Sequence, residues 1–403
     1  MTTETADAKG ALDGIVVLDL TRNVAGPFCT MTLADLGAAV VKVERPGAGD
    51  DTREWRPPSW GDESATYLSF NRNKRSLALD IDHEEGREIV RRLAERADVV
   101  VESFRNGSLE KRGLGAETLM SINPRLIFCS ISAFGPRGPH AERSAYDPTI
   151  QAYSGMMSIT GEDGRPPVRT GPATIDIGTG LWAAFGIMTS LYERRITGKG
   201  RRVEASLLET GLGWMSYHLA GYLGSGVVPG RLGSRGAIAA PYEAFATKDQ
   251  DLYVAAPNDQ LFERLCRLVG LPDLPLDSRF RTNPDRIAHR EVLHRILEER
   301  FVTDVAANWE SLLMKSEVPC SLIRNAEQVV RDPQVEALDL FMEVPHPTIP
   351  DLRLIDLPVT LDGARAVRRD PPPSLGQHTD EILAELGFDE AAVRGLRASR
   401  VVG

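Results

Sequence analysis

Asp176 is the side chain whose setting most clearly suggests chemistry. It stands in Thr174-Ile175-Asp176-Ile177-Gly178, where a long apolar helix is predicted to begin. A carboxylate at the start of a helix commonly accepts backbone N–H bonds as an N-cap, and the helix dipole keeps it ionised. An ionised aspartate is also able to attack an acyl carbon and form a covalent intermediate. The sequence therefore predicts an N-cap at Asp176 and is compatible with a nucleophile at the same position.

Cations that could hold phosphate groups occur in three places. They are Arg45 before the turn Pro46–Asp50, the cluster Arg72, Lys74 and Arg75, and Arg105 with Lys111 after a predicted strand that ends near Phe104. Several cations close together suit the phosphates of a nucleotide, and the carboxyl ends of parallel strands are where ligands bind in such sheets. Together they indicate a polyphosphate ligand, whereas the alternative for the cluster around Lys74 is a solvated loop.

Several familiar catalytic motifs are absent from the sequence. There is no G-x-x-x-x-G-K-[ST] loop, no G-x-S-x-G elbow and no H-E-x-x-H pair, which disfavours nucleoside triphosphate hydrolases, esterases and zinc proteases. The cysteines are scattered without a C-x-x-C pair, so no metal site is predicted. The formal net charge of −10 disfavours a nucleic-acid partner, which would need a basic surface.

The elements that must position these residues alternate between strand and helix in the first part of the chain. Strands are predicted at 14–20, 39–44, 99–101 and 126–131, and helices from Pro27, over 83–97 and over 177–195. This alternation is typical of a parallel sheet with crossover helices. The fold class is therefore α/β, with a Rossmann-like large domain. The glycine-rich stretch after Thr210 is interpreted as a connector.

A second and smaller α/β domain is predicted where the strand and helix pattern restarts. Its strand is expected at 252–255 and its helices at 258–269 and 290–300. We expect residues 1–208 to form the first part of the large domain, 209–235 a linker, 236–320 the small domain, and 321–403 a linker that returns to the large domain with a helix near 379–386.

The sequence also predicts a cytoplasmic protein without a membrane partner. Met1 to Gly10 is polar and acidic and lacks the apolar run of a signal peptide. The uncharged stretches 177–192 and 210–230 are respectively too short and too rich in glycine and polar residues to cross a bilayer.

Taken in order, the motifs resemble those of the class III CoA-transferases, the CaiB/BaiF family. This family includes formyl-CoA and carnitine CoA-transferases and shares its fold with 2-methylacyl-CoA racemases. The matching segments are Leu18–Thr21 with Ala25–Pro27, Val41–Pro46 with Gly49–Asp50, Asn71–Ser76, Tyr146–Pro148, Pro166–Arg169, Asp176, Thr197–Gly200, Pro241–Tyr242 and Pro373–Thr379. They run through nearly the whole chain.

The resemblance implies a nucleophilic role for Asp176 and a bound CoA, which is a substrate and not a prosthetic group. Two subunits would interlock like chain links into a ring-shaped homodimer, and the loop from Gly233 to Gly236 falls where the family has a protecting lid. The CoA contacts would fall on Val24, Ala25, Arg45, Leu79, Ser103, Phe104, Arg105, Lys111, Tyr146 and Asp147, with Arg72, Lys74 and Arg75 as further phosphate contacts.

The chemistry that the resemblance implies is transfer of CoA from an acyl-CoA to a small carboxylic acid through aspartyl anhydride and aspartyl-CoA thioester intermediates. Two alternatives stay open. An acyl-CoA racemase needs two acid–base groups, and this chain has Tyr146 and Asn258 where the racemases have histidine and glutamate. The other alternative is a CoA-binding protein without catalytic activity. Arg169 and Arg235 are candidate partners of the acceptor carboxylate.

Overall fold

A computed structural model describes residues 10–365 and 369–403. The predicted absence of a signal segment in the first ten residues therefore falls almost wholly outside the described residues. The chain divides into two compact units. The first contains the chain up to Met156 together with 170–219 and 338–403, and the second contains 157–169 and 220–337. The segment 157–169, which we expected within the large domain, thus belongs to the second unit.

The first unit begins with alternating strands and helices. They are β1 (Val16–Leu20), α1 (Ala25–Asp35), β2 (Ala39–Glu44), β3 (Ser59–Trp60), β4 (Glu63–Ser64), α2 (Ala65–Phe70), β5 (Lys74–Ala78), α3 (Glu84–Arg96), β6 (Val99–Glu102), α4 (Ala116–Ile122) and β7 (Ile127–Ser132). The first unit also contains α5 (Asp147–Tyr153), α7 (Thr174–Thr197), β8 (Arg202–Ser206) and α8 (Leu207–Trp214). Two helices span the bounds of the units, α6 (Met156–Ile159) and α9 (Ser216–Ser225).

The main sheet is parallel throughout and has the strand order β5-β2-β1-β6-β7-β8. The chain moves outward from β1 on one side to β2 and on the other side to β6, so the strand order reverses between β1 and β6. In open α/β sheets a ligand binds beyond the carboxyl ends of the strands at such a point. There, the Arg22 backbone N–H donates to the Ser103 hydroxyl across 3.1 Å.

The sheet is covered on both faces because successive strand residues point to opposite sides. Leu18 packs in one layer with Ile89 of α3. Val17 packs in the other layer with Leu33 of α1 and Ile187 of α7. Strands buried on both sides need continuous apolar runs, which is why the pattern of the sequence predicted the strands at 39–44 and 99–101 within one residue.

One prediction about local structure is wrong, and the segment interpreted as a connector contains helices. Lys74 and Arg75 lie in strand β5, not in a solvated loop, and β5 pairs with β2 at the edge of the sheet. The stretch after Thr210 is largely helical, because α8 and α9 continue through it to Ser225. Glycine lowers helix propensity but does not forbid a helix where neighbouring elements support it.

The second unit and the C-terminal part of the first contain the remaining elements. They are β9 (Tyr242–Ala246), β10 (Asp251–Ala255), α10 (Asp259–Leu268), α11 (Asn283–Ala288), α12 (Arg290–Phe301), α13 (Ala306–Lys315), β11 (Cys320–Leu322), α14 (Ala326–Val330), α15 (Pro333–Ala337), β12 (Phe341–Glu343), β13 (Arg353–Ile355), α16 (Thr379–Glu385) and α17 (Glu390–Ala398). Strands β11, β10 and β9 form an antiparallel sheet whose core includes Phe245, Phe262 and Leu297. Ile382 and Leu396 of the last two helices pack on the main sheet of the first unit.

Helices α1 and α7 approach each other closely at Gly180. A Cβ atom at this position would lie 2.5 Å from the Ala25 carbonyl oxygen, so the contact requires glycine. We expect Gly180→Ala to lower the free energy of unfolding by about 1–3 kcal/mol, as overpacking of a core does. The matched control is Gly395→Ala in α17, where nothing lies within 4 Å of the added Cβ. It should leave stability unchanged or raise it by up to about 1 kcal/mol. Equal urea midpoints for the two variants would contradict the packing argument.

Candidate active site

The N-terminus of α7 is capped by Asp147, not by Asp176. The Oδ2 atom of Asp147 accepts the backbone N–H groups of Ile175 at 2.8 Å and of Asp176 at 3.1 Å. Helix α7 already begins at Thr174, so Asp176 is its third residue, and the N-cap prediction for it is wrong. Because the cap comes from a residue that is distant in the sequence, the Asp176 carboxylate is left available for another role.

The carboxylate of Asp176 has a distinctive electrostatic setting. Burial and the negative charge of Asp147 together raise the pKa of Asp176 to about 7. No hydrogen-bond donor contacts this carboxylate in the described part of the chain. The group is therefore a more basic carboxylate than usual and is unencumbered by partners, which are two properties that a nucleophile needs.

A cavity of about 390 Å³ opens in front of this carboxylate, and we call it the Asp176 cavity. Its walls include Asp176 itself and six of the predicted CoA contacts, namely Val24, Ala25, Ser103, Phe104, Arg105 and Tyr146. These residues follow β1 and β6 or precede α5, so the parallel sheet gathers them at its carboxyl edge. The structure thus brings together residues that are far apart in the sequence.

The first turn of α1 forms one wall of the Asp176 cavity. Val24, Ala25 and Gly26 line it, and the contact between Ala25 and Gly180 fixes α1 against α7. Asn23 precedes this turn with a φ of 70°, a left-handed conformation that asparagine tolerates better than most residues. Its N–H donates to Asp50 at 3.2 Å. The free N–H groups at the start of a helix carry partial positive charge, and the residues of this first turn line the cavity.

A second cavity of about 610 Å³, which we call the Arg45 cavity, also lies at the carboxyl edge of the sheet. Two further predicted CoA contacts, Arg45 and Leu79, line it. Arg22, Phe104 and Arg105 line both cavities and so mark where the two meet. The pair of cavities forms one groove that leads from the Asp176 carboxylate to a region rich in arginine.

Some of the cations in the Arg45 cavity were not predicted from the sequence. Arg112 lines it and forms an ion pair with Asp82 at 2.6 Å, whereas the predicted Lys111 is exposed and lines neither cavity as the described residues define them. Arg400 reaches the cavity from the C-terminal end of the chain. An isolated arginine belongs to no sequence pattern that would mark it as a ligand contact. Only the fold shows that these side chains line the same cavity.

Three other predicted phosphate contacts are not free to bind a phosphate, because they are buried or already form ion pairs. Arg72 is 3% exposed and donates to Asp35, and Lys74 is 2% exposed and forms an ion pair with Asp19 at 3.1 Å. Buried charges need such partners to offset desolvation, so neither side chain can reach a ligand. Arg75 is more exposed, but it pairs with Glu385 of α16 and lines neither of the two cavities. Asp147 is likewise a helix cap at 3% exposure and not a CoA contact.

The buried cation Lys42 instead helps to hold the wall of the site. It forms an ion pair with Asp50 at 2.8 Å, and Asp50 accepts the N–H of Asn23. Lys42 also donates to the Thr21 carbonyl at 3.0 Å. The charges under the loop between β1 and α1 therefore fix the backbone that lines the Asp176 cavity.

Of the two residues aligned with the acid–base groups of a racemase, Tyr146 lines the Asp176 cavity, whereas Asn258 and its neighbour Asp259 have structural partners within the second unit. Asn258 caps α10 by accepting the N–H of Leu261 at 2.9 Å. Asp259 forms an ion pair with buried Arg286 at 2.8 Å. Both groups are thus engaged in holding helices, which does not favour a proton-transfer role.

The predicted lid and both predicted acceptor partners also lie in the second unit. Gly233 has a φ of 64° and donates to the Gly161 carbonyl at 2.8 Å. Arg235 forms ion pairs with buried Glu243 and with Glu291. The charge of Arg235 is therefore already neutralised, so it is a poor partner for a substrate carboxylate. Arg169 is exposed in the same unit.

The described residues contain neither a membrane-spanning helix nor a metal-binding cluster. No helix among them is long and apolar enough to span a membrane. No cluster of three histidine, cysteine, aspartate or glutamate side chains in the same residues could hold a metal ion.

Comparison with known proteins decides the family. The family model described as CoA-transferase family III matches residues 12–379. The chain belongs to CoA-transferase family III. It is similar to the succinyl-CoA:glutarate CoA-transferase of Homo sapiens (43% identical, covering 97% of this chain and 90% of that one). It is also similar to the succinate–glutarate CoA-transferase of Agrobacterium fabrum strain C58 (38% identical, covering 95% and 98%).

A solved structure agrees with this placement. A CaiB/BaiF family protein from Brucella suis matches with a TM-score of 0.84 and 39% identity, over 94% of this chain and 100% of that one. The α/β fold and the family resemblance predicted from the sequence are thereby confirmed. This family III protein is an acyl-CoA:carboxylate CoA-transferase, with CoA among its substrates.

Proposed function

We propose that the enzyme transfers CoA between dicarboxylic acids through covalent intermediates on Asp176. The observation that carries the proposal is the Asp176 carboxylate, which has no hydrogen-bond donor in contact within the described residues and lines the Asp176 cavity. Relatives covering nearly the whole chain are named for succinate, glutarate and mesaconate. These names support a dicarboxylic donor and acceptor.

In the first half-reaction the Asp176 carboxylate attacks the thioester carbonyl of the donor. The carbon–sulfur bond breaks, CoA leaves as a thiolate, and a mixed anhydride joins Asp176 to the donor acyl group. The thiolate then attacks the Asp176 carbonyl of this anhydride and releases the donor acid as a carboxylate. The product is an aspartyl-CoA thioester. Covalent catalysis in this form divides one difficult transfer into easier steps.

The second half-reaction reverses these steps with the acceptor. The acceptor carboxylate attacks the aspartyl thioester and expels the CoA thiolate, which leaves a second anhydride. The thiolate then attacks the acceptor carbonyl, forms the new acyl-CoA and frees the Asp176 carboxylate. Ala25 and Gly26 line the cavity at the start of α1, and we propose that their N–H groups stabilise the oxyanions that form in these attacks.

The nucleotide end of CoA would occupy the Arg45 cavity, with Arg45, Arg105 and Arg112 near its phosphates. This arrangement places the thiol end toward Asp176, because the cavities meet at Phe104 and Arg105. The pocket must exclude water, since anhydrides and thioesters hydrolyse.

The enzyme would act as an interlocked homodimer in the cytoplasm. Large apolar side chains of α7 are exposed on the single chain, including Trp182 at 52%, Phe185 at 61% and Ile196 at 77%. An exposed apolar surface of this kind marks an interaction site. Light scattering should give the mass of two chains, and a monomer at micromolar concentration would contradict this part of the proposal.

Two incubations, together with a measurement of ligand binding, distinguish this function from its alternatives. The enzyme is incubated with succinyl-CoA and glutarate, and with a 2-methylacyl-CoA in deuterated water. Formation of glutaryl-CoA and free succinate indicates the proposed transfer. Exchange of the α-proton without a new CoA ester would instead indicate the racemase, and ligand binding without either reaction would indicate an inactive CoA-binding protein.

Arg400 should recognise the 3′-phosphate of CoA. Arg400 has a φ of 60°. It lines the Arg45 cavity but not the Asp176 cavity, so in this proposal it would lie away from the reacting thioester. The next residues, Val401 and Val402, are buried and anchor the end of the chain. We expect Arg400→Gln to raise the KM for succinyl-CoA about tenfold, as loss of a charge-assisted hydrogen bond does.

The control substrate for this prediction is the succinyl thioester of dephospho-CoA, which lacks the 3′-phosphate. The wild type and Arg400→Gln should have the same KM for it. The control variant is Arg394→Gln, a surface arginine that pairs with Glu390 of its own helix, and it should change neither KM. An equal loss with both thioesters would show that Arg400 does not contact the 3′-phosphate.

A further inference from the structure

Three arginines line the Asp176 cavity, and their positions differ in one respect. Arg22 and Arg105 also line the Arg45 cavity, so they stand at the junction where the phosphates of CoA would pass. Of these two cavities, Arg143 lines the Asp176 cavity and not the Arg45 cavity. Its position therefore favours contact with the acyl group and not with the nucleotide.

The partners of these arginines differ as well. Arg22 lies 3.7 Å from the Asp51 carboxylate, and the Arg105 Nε atom donates to the Ser144 hydroxyl at 2.6 Å. Arg143 stacks over the Phe134 ring, with 5.1 Å between the guanidinium carbon and the ring centroid. Among the described residues no carboxylate forms an ion pair with Arg143.

The stacking of Arg143 holds its guanidinium without neutralising the charge. Phe134 is itself fixed by edge-on contacts with His140 at 5.5 Å and with Tyr153 at 5.1 Å between ring centroids. A guanidinium held by a cation–π contact keeps its charge and its N–H donors, which match the two oxygens of a carboxylate. The cavity therefore contains a positioned cation that lacks an anion.

We propose that Arg143 binds the free carboxylate of the dicarboxylic substrate, the end that is not joined to CoA. This inference rests on the proposed function. When the acyl carbon lies at Asp176, the second carboxylate of the same small acid must also lie within the Asp176 cavity. Donor and acceptor acids occupy this place in turn, so one arginine selects for dicarboxylic acids in both half-reactions. Arg143 is thus a specificity-determining residue.

The test compares the binding of two ligands that differ only at the far end of the acyl chain. Butyryl-CoA carries a methyl group where succinyl-CoA carries a carboxylate. Calorimetric titrations use the full-length protein with Asp176→Asn, which prevents turnover. We expect succinyl-CoA to bind about 10–100-fold more tightly than butyryl-CoA, the range of a charged hydrogen-bonded pair. Adding Arg143→Gln should abolish this preference and leave the Kd of butyryl-CoA unchanged.

Two further variants complete the experiment. Arg143→Lys should retain part of the preference, because it keeps the charge but loses the bidentate geometry. Arg105→Gln should weaken succinyl-CoA, butyryl-CoA and CoA to the same extent, as a contact to the CoA part would. If Arg143→Gln behaves like Arg105→Gln, or leaves the preference intact, the inference is wrong. The proposed function fails separately, if the wild type forms no glutaryl-CoA from succinyl-CoA and glutarate.

Discussion

Replacing Asp176 with asparagine should lower kcat for CoA transfer by at least about 10³-fold, the loss typical of removing a catalytic nucleophile. The amide keeps the size of the side chain but cannot form the anhydride. The Kd for CoA should change little, because we propose that only the thiol end of CoA reaches Asp176 and that the phosphates bind at the other end of the groove. Steady-state kinetics together with calorimetric titration of CoA measure both quantities.

The control for this variant is Asp389→Asn. Asp389 is also an aspartate at a helix terminus, and it caps α17 by accepting the N–H of Ala392. Its replacement tests whether loss of a terminal carboxylate is harmful in general, and it should leave kcat unchanged. Retention of more than a tenth of the wild-type kcat by Asp176→Asn would contradict the nucleophilic role.

Replacing Asp147 with asparagine should lower kcat at high pH and also shift the pH dependence of the reaction. In the wild type, Asp176 must be ionised to attack, so kcat/KM should rise as the pH increases through about 7. The Asp147 charge raises the pKa of Asp176. Removing that charge makes ionisation of Asp176 easier, so the rise in kcat/KM should move to lower pH.

The loss of kcat at high pH has a geometric cause. Asp147 accepts two N–H groups of α7 through Oδ2 and the Gln151 amide through Oδ1, at 2.5 Å. An asparagine has one oxygen that accepts hydrogen bonds and one amide nitrogen that donates them. At one of the two positions, therefore, the asparagine N–H group would face another N–H donor. We expect about a 10–100-fold loss of kcat at pH 9, because small displacements of a reacting group are costly. An unchanged pH profile would show that burial alone sets the pKa of Asp176.

The parts of the fold that follow from continuous apolar runs could be predicted from the sequence. The strand at 39–44 has the predicted bounds, and the predicted helix at 83–97 begins and ends within one residue of α3. Parallel strands place the residues that follow them at one edge of the sheet. That rule led to the prediction of Arg105, which lines both cavities, and of Lys111, which lines neither, whereas Ser103 was predicted only through the family resemblance.

The roles of individual charged residues could not be predicted, because they depend on partners that are distant in the sequence. Arg72 pairs with Asp35, which is 37 positions away, and Lys74 pairs with Asp19, which is 55 positions away. A list of cations gives no sign of which of them the fold will bury. Asp147 illustrates the converse, since its contact with α7 spans 28 positions and leaves Asp176 uncapped.

The most direct test of the covalent route follows heavy oxygen from the acceptor acid into the enzyme. Glutarate labelled with oxygen-18 in both carboxylates is incubated with the enzyme and succinyl-CoA, and the digested protein is analysed by mass spectrometry. In the proposed sequence the bridging oxygen of the second anhydride stays on Asp176 when the thiolate takes the acyl group. The peptide that contains Asp176 should therefore gain the mass of one or two heavy oxygens, and only when succinyl-CoA is present. Formation of glutaryl-CoA with no label on this peptide would contradict the account.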